Sequence, residues 1–241
     1  MGCFHHPRWW DGGSHSGCSK RVNEKKLLCI SDVESSSVHS LHIRERFPGL
    51  DAVISCGDLP WYYLEYIVSM LDLPLYYVQG NHVFDIEDAE GEIRHHPYGA
   101  TNLHRRVIYD PGLDLILAGI EGSLTYNRGS YQYTQSQMWQ MVYGLVPQLM
   151  LNKVRYGRFL DVFVTHAAPK GIHDEEDPAH QGVDAFRWLI ENFSPQLHLH
   201  GHIHLYNPLK ARETLHENTR VINCYGYREV VLNQAQSSSK A

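Results

Sequence analysis

The sequence lacks an excess of positive charge, a long apolar run and a paired set of cysteines. Its 241 residues carry 21 Lys and Arg against 27 Asp and Glu, a formal net charge of −6. A broad basic surface that could follow a nucleic-acid backbone is therefore not expected, so nucleic acid is disfavoured as a scaffold partner. No apolar run approaches the roughly 18 residues that span a bilayer, and the N-terminus has no signal-peptide core.

The cysteines indicate a reducing compartment. There are five of them, an odd number that does not suit a framework of disulfides. Cys29 and Cys56 lie inside apolar runs, where a free thiol behaves as a small core residue. Together with the missing signal peptide, this predicts a cytoplasmic protein.

The two ends of the chain show no hydrophobic periodicity. Residues 1–25 are rich in Gly, Ser, His and Trp, and residues 235–241 are polar, so both segments are predicted to be disordered. The chain as a whole is 43% hydrophobic, as is usual for a soluble globular protein. We expect one domain over residues 26–234.

Short apolar runs alternate with helical patterns, which predicts strand–helix units around a mostly buried sheet, an α/β fold. The predicted strands cover 27–31, 51–56, 73–79, 105–110, 113–120, 160–165, 196–200, 220–224 and 229–233. The predicted helices cover 36–47, the segment after Pro60, a segment opened by a Thr134–Gln137 capping box and stopped or restarted by Pro147, and a segment capped by Asp184 and ending near Phe193.

Five of the apolar runs are followed, at their C-terminal ends, by side chains that can bind a metal ion. In an open α/β sheet these ends lie along one edge, so residues distant in sequence should converge there. The side chains are those of Asp32, Asp58, Asn81 with His82, His166, and His202 with His204.

These donors are oxygen and imidazole groups without thiolate, which suits Mn, Fe or Zn in a catalytic role. Several carboxylates and histidines exceed what one open catalytic ion needs, so two divalent ions sharing a bridging carboxylate and a bridging water are expected. Such a pair makes a nucleophile of water and clamps the oxygens of a phosphoryl group. The predicted reaction is phosphoester hydrolysis.

The motifs "SDVE", "GDLP", "GNH", "TH" and "GHIH", in this order, resemble the calcineurin-like metallophosphoesterase family. The similarity covers roughly residues 27 to 225. It implies two packed mixed β-sheets flanked by helices, with a dinuclear metal site at the strand ends. By this resemblance Asp58 would bridge the two ions, while Asp32 and His204 would hold the first ion.

The same resemblance assigns the other polar residues. Asn81, His166 and His202 would hold the second ion. His82 would be a catalytic histidine that is not a ligand, and it would stabilise the transition state or protonate the leaving oxygen.

Two positions depart from the family's pattern. Glu34 stands where the first motif usually has histidine, and it could replace that histidine as an oxygen ligand that favours a harder ion such as Mn or Mg. Val83 stands where an acidic residue usually follows His82, so another group must orient that imidazole, and Asp85 is a candidate.

The polar loop after His166 supplies further candidates. His173 and His180 could approach substrate, although a solvated polar loop is the more common explanation for each residue alone. The long Gly- and Tyr-rich loops 95–104 and 121–134 are predicted to form a rim or lid.

Three functions account for these residues to different degrees. A metal-dependent phosphatase or phosphodiesterase accounts for the whole ligand set. A catalytically weak or inactive binding scaffold on the same fold, like the retromer subunit that resembles this family, is favoured by Glu34 and Val83 but opposed by His82. A zinc hydrolase of the metallo-β-lactamase type is suggested by His202-x-His204, but its pattern would continue with Asp-His.

Overall fold

The computed structural model of the chain describes residues 23–82, 86–87, 91, 93–205 and 211–234. Of the two predicted terminal segments, 1–25 and 235–241, only residues 23–25 lie within the described residues, where they begin a strand. Within the described part, no helix is both long and apolar enough to cross a membrane.

The described residues form fifteen strands and four helices. The strands are β1 (Asn23–Ser31), β2 (Ala52–Ser55), β3 (Leu75–Tyr77), β4 (Ile86–Glu87), β5 (Ile93–Arg94), β6 (Ala100–Asn102), β7 (Arg106–Asp110), β8 (Leu115–Ile120), β9 (Ser123–Leu124), β10 (Gln132–Tyr133), β11 (Val162–Thr165), β12 (Leu197–His200), β13 (Glu213–His216), β14 (Thr219–Asn223) and β15 (Gly226–Gln234). The helices are α1 (Ile43–Arg46), α2 (Trp61–Leu71), α3 (Gln135–Tyr156) and α4 (Asp184–Phe193).

Two mixed sheets pack face to face. The first has the order β15-β1-β2-β3-β6, and the second has the order β13-β14-β12-β11-β8-β7. The inner strands of each sheet run parallel, while β15, β13 and β7 are antiparallel edge strands. The inner faces of both sheets share one core, to which β1 contributes Leu27 and Cys29 and β11 contributes Val162 and Val164.

Helices cover the outer face of each sheet. Alternate residues of β1, Leu28 and Ile30, pack with α1 and α2, and a separate core lies between the second sheet and α3 and α4. Because both faces of the parallel strands are covered, β2, β3 and β11 are buried at every position. The layers confirm the predicted fold of two packed mixed sheets flanked by helices.

The predicted helix over 36–47 is largely wrong, because α1 has only four residues. The serines before it compete for backbone donors: the hydroxyl of Ser35 accepts from the Ser37 amide, and that of Ser40 accepts from the His42 amide, each at 3.2 Å. Such local bonds favour turns over a continuous helix.

Helices α3 and α4 also differ in detail from the predictions. The capping box of Thr134 and Gln137 is confirmed, but α3 continues through Pro147 to Tyr156. The residues of α3 that pack on the second sheet stabilise the helix on both sides of the proline, which offsets the missing hydrogen bond. Asp184 is the first residue of α4 and not its cap. The cap is Val183, whose extended backbone is held by a hydrogen bond from its amide to the Ala168 carbonyl.

Edge strand β13 was not predicted. Its residues alternate between exposed and half-buried, and none belongs to an apolar run. It forms because the antiparallel β14 offers a free edge, with Glu213 opposite Ile222. A tertiary contact therefore decides this strand, while the local sequence favours a loop.

Candidate metal centre

Parallel strands of both sheets end at the same edge, and the predicted ligands follow those ends. Asp32 follows β1, Asp58 follows β2 and Asn81 follows β3, all in the first sheet. His166 directly follows β11 and His202 follows β12 in the second sheet. The candidate centre therefore lies across the top of the sheet-on-sheet interface, as the predicted convergence requires.

Three of these residues have a backbone conformation that residues other than glycine rarely adopt. The φ angles are 66° at Asp32, 55° at Asp58 and 65° at His202. Each such residue costs of order 1 kcal/mol or more and persists only where surrounding contacts enforce it, a situation common at functional sites. The strained turns aim three polar side chains at one edge.

Glycines beside these residues allow the close approach. A Cβ atom at Gly80 would lie 1.9 Å from Oδ1 of Asp58, and one at Gly201 would lie 1.9 Å from Oγ of Ser31. Gly57, with φ of 99°, leaves room for the backbone of Gly80 and the ring of His166. The glycines of the "CGD", "QGN" and "HGH" segments are thus needed for packing at the site.

The second-ion cluster, as we name Asp58, Asn81, His166 and His202, is tightly connected. Nε2 of His166 lies 3.2 Å from Oδ2 of Asp58 and 3.0 Å from Oδ1 of Asn81. Ligand atoms of Asp58, His166 and His202 all lie within 4.8 Å of one another. All four residues are buried, so the donors are shielded from water.

Hydrogen bonds to backbone carbonyls select the free nitrogen of each imidazole. Nδ1 of His166 lies 2.8 Å from the carbonyl of Cys56, so it donates its proton there and leaves Nε2 to face Asp58. Nε2 of His202 lies 2.7 Å from the carbonyl of Ala179, which leaves Nδ1 free. Fixing the tautomer in this way is typical of metal-binding histidines.

The electrostatics of the cluster fit a bound cation. Burial acts to raise the pKa of Asp58, but the charge and hydrogen bond of His166 together with the His82 amide hold it below its usual range. Burial acts to lower the pKa of His166, but Asp58 raises it to about 9. A positive charge is thus stabilised at Nε2 of His166, where three donor atoms converge, and a metal ion would supply such a charge.

The first-ion cluster, as we name Asp32 and His204, is more open. The Asp32 side chain is 1% exposed and accepts the His202 amide at 3.0 Å, whereas the His204 side chain is 38% exposed and its Nε2 lies 3.8 Å from Oδ1 of Asp32. Burial raises the pKa of Asp32, and the nearby charge of Asp58 adds to the effect. The amide of Asp32 donates to the Gly57 carbonyl, which ties this cluster to the other.

Glu34 makes contacts outside both clusters. Its carboxylate accepts a hydrogen bond from the hydroxyl of Tyr62, and its other oxygen lies 3.9 Å from Nδ1 of His39. Ligation of an ion by Glu34 stays a prediction, and it would require a change in these contacts.

His82 has a fixed backbone and an exposed imidazole. Its amide donates to Oδ1 of Asp58 at 2.9 Å, and its side chain is 65% exposed with Nε2 3.7 Å from Oδ2 of Asp58. The exposed ring borders the candidate centre, as a proton donor to substrate must. Asp85, the predicted substitute for the missing acidic neighbour, lies outside the described residues, as does Val83.

The loop histidines take different places. The ring of His180 lies 5.2 Å from the ring of His202, between centroids, and its Nδ1 contacts Asp177. His173 instead places Nδ1 2.9 Å from Nε2 of His200 and Nε2 2.9 Å from the hydroxyl of Thr214. His180 is therefore the better placed of the two to approach substrate.

The structure adds a residue to which the sequence assigned no role at the metal site. Nδ2 of Asn81 donates to the hydroxyl of Tyr126 at 3.1 Å, which turns Oδ1 of the amide toward His166. Tyr126 belongs to loop 121–134, which was predicted to form a rim or lid. The sequence gives no signal for this contact, because Asn81 and Tyr126 are far apart in the chain and meet only in the folded protein.

Comparison with known proteins places the chain among characterised folds. The model of the calcineurin-like phosphoesterase family matches residues 25–206. A crystal structure of TT1561 from Thermus thermophilus aligns with a TM-score of 0.56 and 17% identity, covering 87% of this chain and 98% of that one. A second solved chain has a TM-score of 0.52 and 16% identity, with 87% and 99% coverage. No curated protein matches the chain significantly.

Proposed function

Because the chain belongs to the calcineurin-like phosphoesterase family, we propose that it hydrolyses phosphoesters with two divalent metal ions at the strand ends. One observation carries the proposal: ligand atoms of Asp58, His166 and His202, from three separate strand ends, lie within 4.8 Å of one another. Buried imidazoles of fixed tautomer beside a carboxylate are the donor set of a catalytic metal site rather than of a structural one.

The residues divide into two ligand groups with a shared carboxylate. In the proposal, Asp58 would be shared by the two ions; one of its oxygens faces His166, and the other accepts the His82 amide. Asn81, His166 and His202 complete one group, and Asp32 and His204 complete the other. Glu34 is retained as a further ligand of the first ion.

The hydrolysis breaks the P–O bond to the leaving oxygen and forms one to a water oxygen. When bound, a pair of Mn, Fe or Zn ions lowers the pKa of a shared water and polarises the phosphoryl oxygens. His82, exposed at the edge of the site, delivers a proton to the leaving oxygen. His180 and, after release from His200, His173 contact the part of the substrate that stays on the phosphorus.

A binding scaffold without catalysis is the second candidate. The observation that favours it is the pairing of Glu34 with Tyr62 and His39, which takes away a possible ligand of the first ion. The buried second-ion cluster and the exposed His82 favour catalysis. A cytoplasmic location, suggested by the odd number of cysteines, stays a prediction.

The experiment that tests the proposal compares wild type with Asp58→Asn. Both proteins are loaded with Mn and assayed with 4-nitrophenyl phosphate and bis(4-nitrophenyl) phosphate, and their metal content is measured. We expect the wild type to retain metal and hydrolyse at least one ester, and the variant to lose both properties. If both proteins are inactive and neither retains metal, the proposal of an enzyme is overturned and the binding scaffold is the remaining candidate.

A further inference from the structure

An open pocket adjoins the first-ion cluster and has no role in the proposed chemistry. Its volume is about 400 Å³, and its lining includes Glu34, Ser35, Ser36, Arg212, Tyr225 and Tyr227. We call it the Arg212 pocket. Its wall combines one guanidinium, one carboxylate, two hydroxyl side chains and two phenol rings. Because Tyr62 engages the carboxylate, the guanidinium is the group that suits the pocket to a small ligand with an anionic group.

The Arg212 pocket directly borders the predicted ligands of the first ion. Val33 and Glu34, which follow Asp32 in the chain, form one side of it. On the other side, the ring of Tyr225 packs on the ring of His204 with 4.9 Å between centroids. A phosphoester bound at the ions could therefore place its leaving group directly in this pocket, because the pocket lies next to the first-ion cluster.

Among the described residues, the side chain of Arg212 has no partner for its charge. Its carbonyl accepts the Asn223 amide at 2.9 Å, so its backbone is fixed beside β14. Within the described ranges, no side chain makes a hydrogen bond or an ion pair with its guanidinium. By contrast, Arg220 and Arg228 both pair with Glu213, at 2.7 and 3.7 Å.

The carboxylate of the same pocket does not neutralise this charge. Glu34 is engaged by the hydroxyl of Tyr62 and faces His39, both outside the pocket lining. A half-buried guanidinium without an acceptor is suited to bind an incoming carboxylate or phosphate through two parallel hydrogen bonds. The two tyrosine rings offer flat apolar surface to the body of the same ligand.

We propose that the Arg212 pocket holds the leaving group of the substrate, and that Arg212 pairs with a second anionic group on it, a carboxylate or a phosphate. The inference rests on the proposed function, since it places the scissile phosphoryl group at the ions. It narrows the substrates to phosphoesters with a further negative charge on the leaving group.

The test uses two aryl phosphates of similar shape, 4-carboxyphenyl phosphate and 4-carbamoylphenyl phosphate. Mn-loaded wild type should show a KM for the carboxylate about 10-fold or more below that for the amide, as expected for one charge-assisted pair. Arg212→Gln should lose this preference. Arg220→Gln, which alters an arginine already paired with Glu213, should keep it.

The outcomes separate the two proposals. Equal use of both esters by wild type, or an unchanged preference in Arg212→Gln, overturns the role of Arg212 while hydrolysis stands. If wild type hydrolyses neither monoester, the assays with the two nitrophenyl esters decide the hydrolytic function, and calorimetric titration with 4-carboxybenzylphosphonate and its carboxamide decides the pocket. A preference for the carboxylate that Arg212→Gln removes supports it, and equal or absent binding overturns it.

Discussion

The two halves of the candidate centre differ in how firmly the protein holds them. In the second-ion cluster every residue is buried, and the free nitrogen of each imidazole is set by a backbone carbonyl. In the first-ion cluster Asp32 is buried, but His204 is 38% exposed and lies 3.8 Å from it. A preformed set of donors loses little conformational freedom on binding, so one ion should be held much more tightly than the other.

The largest expected effect comes from breaking the firmly held half. In Gly80→Ala the new Cβ would lie 1.9 Å from Oδ1 of Asp58, which displaces the carboxylate between the two clusters. We expect metal content and hydrolysis to fall by more than about 100-fold, beyond the usual effect of changing a group behind a ligand.

Gly144→Ala is the matched control for that substitution. Its Cβ would meet nothing within 4 Å in α3, and alanine favours a helix over glycine by about 0.5–1 kcal/mol. This variant should keep its metal and gain thermal stability. A Gly80→Ala protein with full metal content and activity would contradict the packing described for Asp58.

A second pair of variants measures the asymmetry directly. His166→Gln should weaken metal binding about 100-fold or more, because it removes a fully buried donor aimed at Asp58. His204→Gln should release one ion and leave the other in place. Metal content after graded treatment with a chelator checks this, and the loss of both ions at equal chelator concentrations in the two variants would refute the asymmetry.

Tyr126→Phe should have a moderate effect on the binding of the second ion. Removing the hydroxyl frees Nδ2 of Asn81 and lets the amide rotate away from His166. We expect affinity for the second ion to fall about 10-fold. Tyr143→Phe, on an exposed ring of α3, is the control, and equal affinities in the two variants would show that Tyr126 does not position Asn81.

The smallest effect is expected from Glu34→Gln. If Glu34 binds the first ion, that ion alone should weaken, by less than about 10-fold because Tyr62 and His39 share its carboxylate. Tyr62→Phe should then tighten the same ion by freeing the carboxylate. Unchanged occupancy of both ions in metal titrations of both variants would show that Glu34 is not a ligand.

Much of the fold could be predicted from the sequence because the strands are short, apolar and flanked by turn residues. The predicted segments 51–56 and 160–165 contain β2 and β11. The helix over 36–47 failed because serine side chains bind the backbone there. The prediction that Pro147 would stop or restart the helix failed because packing on the second sheet outweighs one missing hydrogen bond.

The sequence alone determined which side chains stand at the strand ends. An apolar run followed by a glycine and a polar residue forms a buried strand and a tight turn by local rules, whatever its neighbours are. Asp58 and His202 could therefore be placed at strand ends from the sequence, as could the edge along which they meet.

Only the tertiary structure decided how these side chains are held. The nitrogen that His166 presents depends on the Cys56 carbonyl, and the one that His202 presents depends on the Ala179 carbonyl. The partners of Glu34 are equally products of the fold, as is the Arg212 guanidinium, which has no partner in the part of the chain that the structure describes. Local pattern specifies backbone and burial, whereas hydrogen-bond partners come from segments far apart in the chain and are set only when the sheets pack.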